Sequence, residues 1–296
     1  MKLRFYFQAF FIVNLDSQIE LGKTLFFDPR LSSNNKISCS SCHNPNKGWS
    51  DGRPTAIGYD NKVLQRKTPS IAYLDNKNIF FWDGRATSLE EQALIPITAP
   101  DEMNQDLDLL IEKLENVPGY VSMFSSVYPR EGITSKTIAQ SLASFERSLN
   151  LRDSPFDRWN SGQVNAISES AKKGYSVMST LKANCLFCHK GNDFTDQRLW
   201  DVGVNGNDSG RDGLYAFKTP SLRDVALRAP YSHNGRLLDL DDVVRFYMRG
   251  GDIHRSTQAS PQRAQINLTD EEVFQVVEFL KTLTTDNSRF QKPKLP

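Results

Sequence analysis

The chain has 296 residues and a formal net charge of +1, with 36 lysines and arginines set against 35 aspartates and glutamates. Its apolar and charged fractions, 39% and 24%, are those of an ordinary folded protein, and its length allows two domains. No basic block invites nucleic acid, and no apolar stretch is long enough to span a membrane.

Lys2 and Arg4 precede a short apolar run over residues 5–13 that Gln8 interrupts, and no small-x-small cleavage site follows. Residues 1–16 therefore read either as a degraded or mis-started signal peptide or as a stretch whose true start lies upstream, and are set aside from the fold. Residues 17–27 predict a helix with Ile19, Leu25 and Phe26 inward, ended by Asp28-Pro29. Cys39-Ser40-Ser41-Cys42-His43 comes next, a C-x-x-C-H pattern. Residues 44–58 read as loop, 89–94 as helix, and 106–114 and 138–149 as amphipathic helices. Residues 152–162, with Pro155 and Gly162, read as the linker between a domain of residues 17–150 and one of residues 151–296. Ser168 opens a helix through Ala171, Tyr175 and Met178 toward Cys185-Leu186-Phe187-Cys188-His189, the second C-x-x-C-H. Residues 205–213 are a Gly/Asn/Asp loop. Thr269-Asp270-Glu271-Glu272 is a capping box opening a last helix, with Val273, Val276, Val277 and Leu280 on one side. Strand signals are short and weak.

The two motifs use all four cysteines and two of the four histidines. In a c-type attachment both thiols add across the haem vinyl groups, and the next residue becomes the proximal iron ligand. The rivals are a zinc site and a thioredoxin-like redox pair. Zinc wants converging pairs, but 146 residues separate the motifs, and a redox pair leaves each following histidine unexplained. The expected class is mainly α, two cytochrome c-like domains each carrying one c-type haem, with His43 and His189 as iron ligands. Covalent attachment needs reduced thiols meeting haem outside the cytoplasm, so the expected location is the periplasm.

An internal repeat organises the rest. Lys67-Thr68-Pro69-Ser70-Ile71 returns as Lys218-Thr219-Pro220-Ser221-Leu222, an offset of 151 residues. The same offset sets Gly84-Arg85 on Gly235-Arg236, Leu89-Glu90-Glu91 on Leu240-Asp241-Asp242, Trp82 on His233 and Pro96 on Tyr247. If the last pair faces the two irons, the first haem meets a side chain that cannot coordinate and the second a phenol that can. The plainer account makes Pro96 a helix kink and Tyr247 a core aromatic.

Leu25-Phe26-Phe27-Asp28-Pro29-Arg30-Leu31-Ser32, the first C-x-x-C-H, Phe81-Trp82-Asp83-Gly84-Arg85-Ala86, Glu91-Gln92-Ala93-Leu94 and Ala229-Pro230-Tyr231-Ser232-His233-Asn234-Gly235 resemble the bacterial dihaem cytochrome c peroxidase family, which includes MauG. The resemblance runs from about Leu21 to the C-terminus. It implies a peroxidatic haem in the N-terminal domain and an electron-transfer haem in the C-terminal one. It implies that Trp82 lies between the haems. Gln92, Pro96 and Glu102 would form the distal pocket of the first haem, with Glu102 as the proton carrier, and His233 would stand near the second. Without the resemblance, Trp82 reads as a core aromatic, Glu102 as a solvated carboxylate and His233 as a structural histidine. His254 matches nothing in the family and reads as a surface residue.

Departures from the family pattern are informative. Ordinary members carry a histidine between the first motif and the tryptophan, and none stands between His43 and Trp82. They carry Met opposite the second haem, where Tyr247 stands here as in MauG, with Met248 as the alternative one residue on. MauG has a surface tryptophan two residues before its second motif; Ala183 stands there. The family's inter-haem calcium uses an asparagine at the position of Lys67, which puts that cofactor in question. Three activities follow. The first reduces hydrogen peroxide with electrons from a small cytochrome c or cupredoxin. The second oxidises a side chain of a partner protein. The third is an electron-transfer cytochrome without a substrate. Homodimers occur in the family, and no residue here establishes one.

Overall fold

The computed structural model describes residues 15–253, 266–286 and 290–296. Most of the N-terminal segment set aside above, and His254, lie outside the described residues. The helices are α1 (Leu15–Phe26), α2 (Cys39–Cys42), α3 (Leu89–Thr98), α4 (Leu107–Glu115), α5 (Pro118–Val127), α6 (Ser135–Ser148), α7 (Pro155–Asn160), α8 (Glu169–Ser179), α9 (Leu240–Met248) and α10 (Asp270–Lys281). The sheet among the described residues is one antiparallel pair, β1 (Leu199–Trp200) with β2 (Phe217–Lys218).

The predicted helices are present, and six of them are opened by a side chain that accepts the orphan N–H groups of the first turn. Ser88, Asp106, Thr134, Ser168, Asp239 and Thr269 cap α3, α4, α6, α8, α9 and α10. Two helices lie where the sequence predicts none. Pro118 and Pro155 look like breakers but occupy the first turns of α5 and α7, where a missing N–H costs nothing. The expected linker is thus largely helix α7. It is pinned by Arg223, which donates to Asp157 at 2.6 Å, and by Arg152, which pairs with Asp75 and Asp193 at 2.9 Å.

Two hydrophobic cores form. One gathers residues from Leu21 to Phe145, the other from Phe156 to Leu283. In the first, α1 packs on α6 and α3 on α6; in the second, α8 packs on α10 and α9 on α10. The α1–α6 and α8–α10 crossings are close because glycine sits at each. A Cβ on Gly22 would fall 1.8 Å from the Ser141 carbonyl oxygen, and one on Gly174 would fall 1.9 Å from that of Gln275.

The sequence repeat is a structural repeat. Tyr73, Phe81 and Gly84 take left-handed backbone conformations, and so do Asp224, Ser232 and Gly235, each 151 residues later. The bridge Phe80–Ala86 recurs as Tyr231–Leu237. The caps recur too: the Glu91 carboxylate accepts from Thr87 N–H at 2.8 Å, and that of Asp242 from Leu238 N–H at 2.9 Å. The two copies meet reciprocally. Lys67 N–H donates to the His233 carbonyl and Lys218 N–H to the Trp82 carbonyl, both at 2.7 Å. These four residues are two repeat pairs, so the contact has local two-fold symmetry. Gly174→Ala should cost about 1–3 kcal/mol by overpacking the α8–α10 crossing, seen as a lowered Tm in thermal circular dichroism. An unchanged Tm would mean that the helices separate without cost.

Candidate functional site

Cys39 and Cys42 lie on α2, one helical turn that brings both thiols to one side, and His43 follows as its cap. His43 Nδ1 is bonded to the Trp49 carbonyl at 3.0 Å, which leaves Nε2 for a metal. In the second half His189 Nδ1 is bonded to the Phe194 carbonyl, also at 3.0 Å. Burial lowers both histidine pKa values, favouring the neutral, ligating form. The cysteines are not joined to one another. Burial holds Cys42 up at about 11 and Cys188 at about 12, and raises Cys39 and Cys185 likewise, so the thiols are in the neutral form at pH 7.

Trp49 and Phe194 carry φ values of 59° and 52°, in a region that bulky residues rarely adopt. Both rings are buried, at 2% and 4% exposure. Trp49 packs on Phe26 and Phe145, and Phe194 on Phe156 and Phe279. The core thus fixes each ring and turns its carbonyl toward the histidine. Neither residue stood out in the sequence, although an aromatic at nearly equal distance after each motif was the available signal.

The first site draws in Glu102. The charge of Glu102 acts on both Cys39 and Cys42. The turn that carries Glu102 is folded back under α3, with Met103 N–H donating to the Pro96 carbonyl at 3.2 Å. Pro96 is half-buried inside α3 and serves that turn. Gly58 abuts the same turn; a Cβ there would meet the Asp101 carbonyl oxygen at 2.0 Å. Burial raises the Glu102 pKa, Asp101 adds to it, and Arg85 opposes. Gln92 Oε1 is buried and has no hydrogen-bond partner among the described residues. Glu146 on α6 was not anticipated. It is 5% exposed, its Oε2 is likewise unpartnered, and its charge acts on Cys39. Burial lifts its pKa to about 8.

The second site opens on a cavity whose unfilled volume, mouth included, is about 1750 Å³. Cys185, Cys188, His189 and Tyr247 all line it, together with Trp82 and His233. Tyr247 stands near enough for both thiols to act on its phenol, whose pKa is raised chiefly by burial. Met248 is absent from this wall and packs its side chain into the second core. Trp82 donates from Nε1 to the Lys67 carbonyl at 2.8 Å and meets the His233 ring edge-on at 6.5 Å. His233 stacks on Phe217 at 3.7 Å, and burial pulls its pKa down to about 4. Ala183 is fully buried.

This donor set suits haem: paired thiols, a histidine with one nitrogen locked and the other open, and a large cavity faced by a phenol. A calcium site at Lys67 does not fit. The ammonium is 5% exposed, donates to the Arg53 carbonyl at 2.9 Å and lies 3.8 Å from Asp51, so a second cation there would be repelled.

Because Glu146 stays protonated in the fold but ionises near the ordinary glutamate pKa when unfolded, it weakens the fold as pH rises from about 4.5 to about 8, by up to about 1.4 kcal/mol per unit. Glu146→Gln should abolish that loss, so its Tm advantage over the parent grows across this window. Parallel Tm curves for the two proteins would contradict the assignment.

Residues 16–165 match the family described as di-haem cytochrome c peroxidase. The chain is 42% identical over 290 residues to the methylamine utilization protein MauG of Methylorubrum extorquens, covering 94% of this chain and 81% of that protein. It is 33% identical to the cytochrome c551 peroxidase of Nitrosomonas europaea, covering 94% and 83%. The solved structure of a MauG-like protein associated with microbial copper homeostasis superposes with a TM-score of 0.84 at 28% identity, covering 95% and 96% of the two chains. No helix among the described residues is long and apolar enough to cross a membrane.

Proposed function

Since the chain belongs to the dihaem cytochrome c peroxidase family of haem oxidoreductases acting on peroxide, we propose that it is a periplasmic peroxidase with two unlike haem sites. The first reduces hydrogen peroxide; the second passes in electrons from a small cytochrome c or cupredoxin. The observation that carries this reading is the asymmetry of the two sites. A buried carboxyl with raised pKa faces the first pair of thiols, and a phenol faces the second.

The haem iron supplies the electrons that break the O–O bond. The protein supplies position and protons. His43, locked at Nδ1 by Trp49, presents Nε2 on one side of the first site. Glu102 takes the proton from the peroxide oxygen nearer the iron and delivers it to the far one, which leaves as water. Gln92 Oε1, buried and without a partner, accepts a hydrogen bond from the peroxide hydroxyl. Trp82, hydrogen-bonded to Lys67 and edge-on to His233, bridges the two sites. Tyr247 is the distal ligand of the second site in this reading, because it lines the cavity and Met248 does not. The domains are residues 17–150 and 151–296, divided just before α7.

A specific observation favours a second reading, in which the electrons come from a side chain of a partner protein. No histidine lies between His43 and Trp82 to close the first site, and the phenol at the second is the MauG arrangement. Ala183, buried where MauG has its surface tryptophan, argues against the same partner surface.

The test is Glu102→Gln. Steady-state peroxide turnover should fall by about 10²–10⁴-fold with haem content unchanged. Glu102 must be ionised to accept the first proton, so activity in the parent rises with pH through its raised pKa, above the ordinary carboxylate range. That limb should vanish in the variant. Turnover within a few-fold of the parent would sink the role.

A further inference from the structure

The cavity at the second C-x-x-C-H is mostly apolar, yet four cationic side chains line it: Lys67, Lys77, Lys218 and Arg228. A buried cation is costly unless an anion compensates it. Lys77 pairs with Asp193 at 2.6 Å, and Lys67 has Asp51 at 3.8 Å. Lys218 and Arg228 have no such partner. The Lys218 ammonium makes no hydrogen bond or ion pair among the described residues, and Lys77 and Arg228 repel it. Arg228 is 9% exposed and donates to the Ser221 carbonyl at 2.5 Å, with no carboxylate in ion-pair contact. Asp224, which acts on Arg228 electrostatically, already accepts from Thr285 N–H at 2.7 Å.

A third unmatched group faces the same cavity. His233 is 3% exposed, its Nε2 is buried without a partner, and its ring is fixed by stacking on Phe217. Burial keeps this imidazole neutral at pH 7, so with Nε2 protonated it is a donor of one hydrogen bond.

Two cations that line the cavity without a paired carboxylate, and one N–H donor without an acceptor, call for an anionic ligand with more than one carboxylate. A haem joined to Cys185 and Cys188 through its vinyl groups carries two propionates on the opposite edge of the ring. We infer that Lys218 and Arg228 bind the propionate carboxylates of the second haem, with His233 Nε2 donating to one of them. This inference rests on the reading of Cys185, Cys188 and His189 as a haem site. Charge balances: two carboxylates meet two otherwise uncompensated cations. The repeat adds an asymmetry, because Lys67, the counterpart of Lys218, spends its charge on Asp51 and the Arg53 carbonyl.

Pairing cancels propionate charge that would otherwise stabilise ferric iron. In the holoprotein, Lys218→Met and Arg228→Met should each lower the reduction potential of the second haem, and the double variant should lower it further. The unpaired propionate then titrates near neutral pH, so the potential gains a pH dependence between about pH 5 and 9 that the parent lacks. Lys218→Arg keeps the charge and should behave as the parent. Spectroelectrochemical titration reads all four variants, with haem content by pyridine haemochrome as the companion measurement. One haem per parent chain would refute the haem-site reading itself. Two haems with unchanged potentials and pH dependence in the double variant would overturn the propionate assignment alone. Should these variants fail to assemble, resonance Raman of the parent decides. The propionate bending band of the second haem should keep its hydrogen-bonded frequency from pH 5 to 9, and a band that titrates as a free carboxylic acid would overturn the assignment.

Discussion

Each histidine of the two C-x-x-C-H motifs is bonded through Nδ1 to a backbone carbonyl, and much of the structure is arranged to keep that carbonyl in place. Trp49 and Phe194 aim theirs from left-handed conformations that cost a non-glycine residue about 1–3 kcal/mol. Truncating such a buried ring to alanine costs about 3–5 kcal/mol, so burial more than offsets the strain. The aromatic clusters around the two rings therefore act on the sites directly. They decide which nitrogen each imidazole commits to the protein and which it keeps for iron.

Duplication explains the symmetry of this arrangement and local substitution explains its function. The two copies share left-handed turns, caps and helix crossings, and they exchange matching hydrogen bonds through Lys67, Trp82, Lys218 and His233. On that common frame two differences bear most directly on the sites. Gln92 of α3 has Val243 of α9 at its repeat position, and Pro96 has Tyr247. One copy thus presents an amide and a nearby carboxyl, and the other an apolar wall and a phenol. In the proposed reading, proton handling belongs to the first site and the phenol ligand to the second.

Much of this was legible in the sequence, for local reasons. C-x-x-C-H is a contiguous motif, caps and apolar periodicity mark helices within one or two turns, and a fixed offset exposes a repeat. Where the reading failed, geometry beyond the local chain decided. Pro155 reads as part of a linker, and no helix is expected at Pro118, because the proline ring alone does not tell a first turn from an interruption. The carbonyls of Trp49 and Phe194 were invisible because φ at those residues is imposed by ring burial in a distant core. Glu146 falls within the helix predicted over residues 138–149, but its burial against Cys39 requires α6 to pack where it does. The lack of paired carboxylates at Lys218 and Arg228 emerges only when the cavity is assembled from both halves.

The central claim is that the first site is open to peroxide in the resting protein while Tyr247 occupies the second. It is tested most directly by the absorption spectrum of the purified ferric holoprotein, before and after one equivalent of peroxide and without prior reduction. The account predicts a high-spin component, no methionine-to-iron charge-transfer band, and an immediate spectral change on adding peroxide. A methionine–iron band with no reaction until one haem is reduced would contradict it and would assign the ligand to Met248.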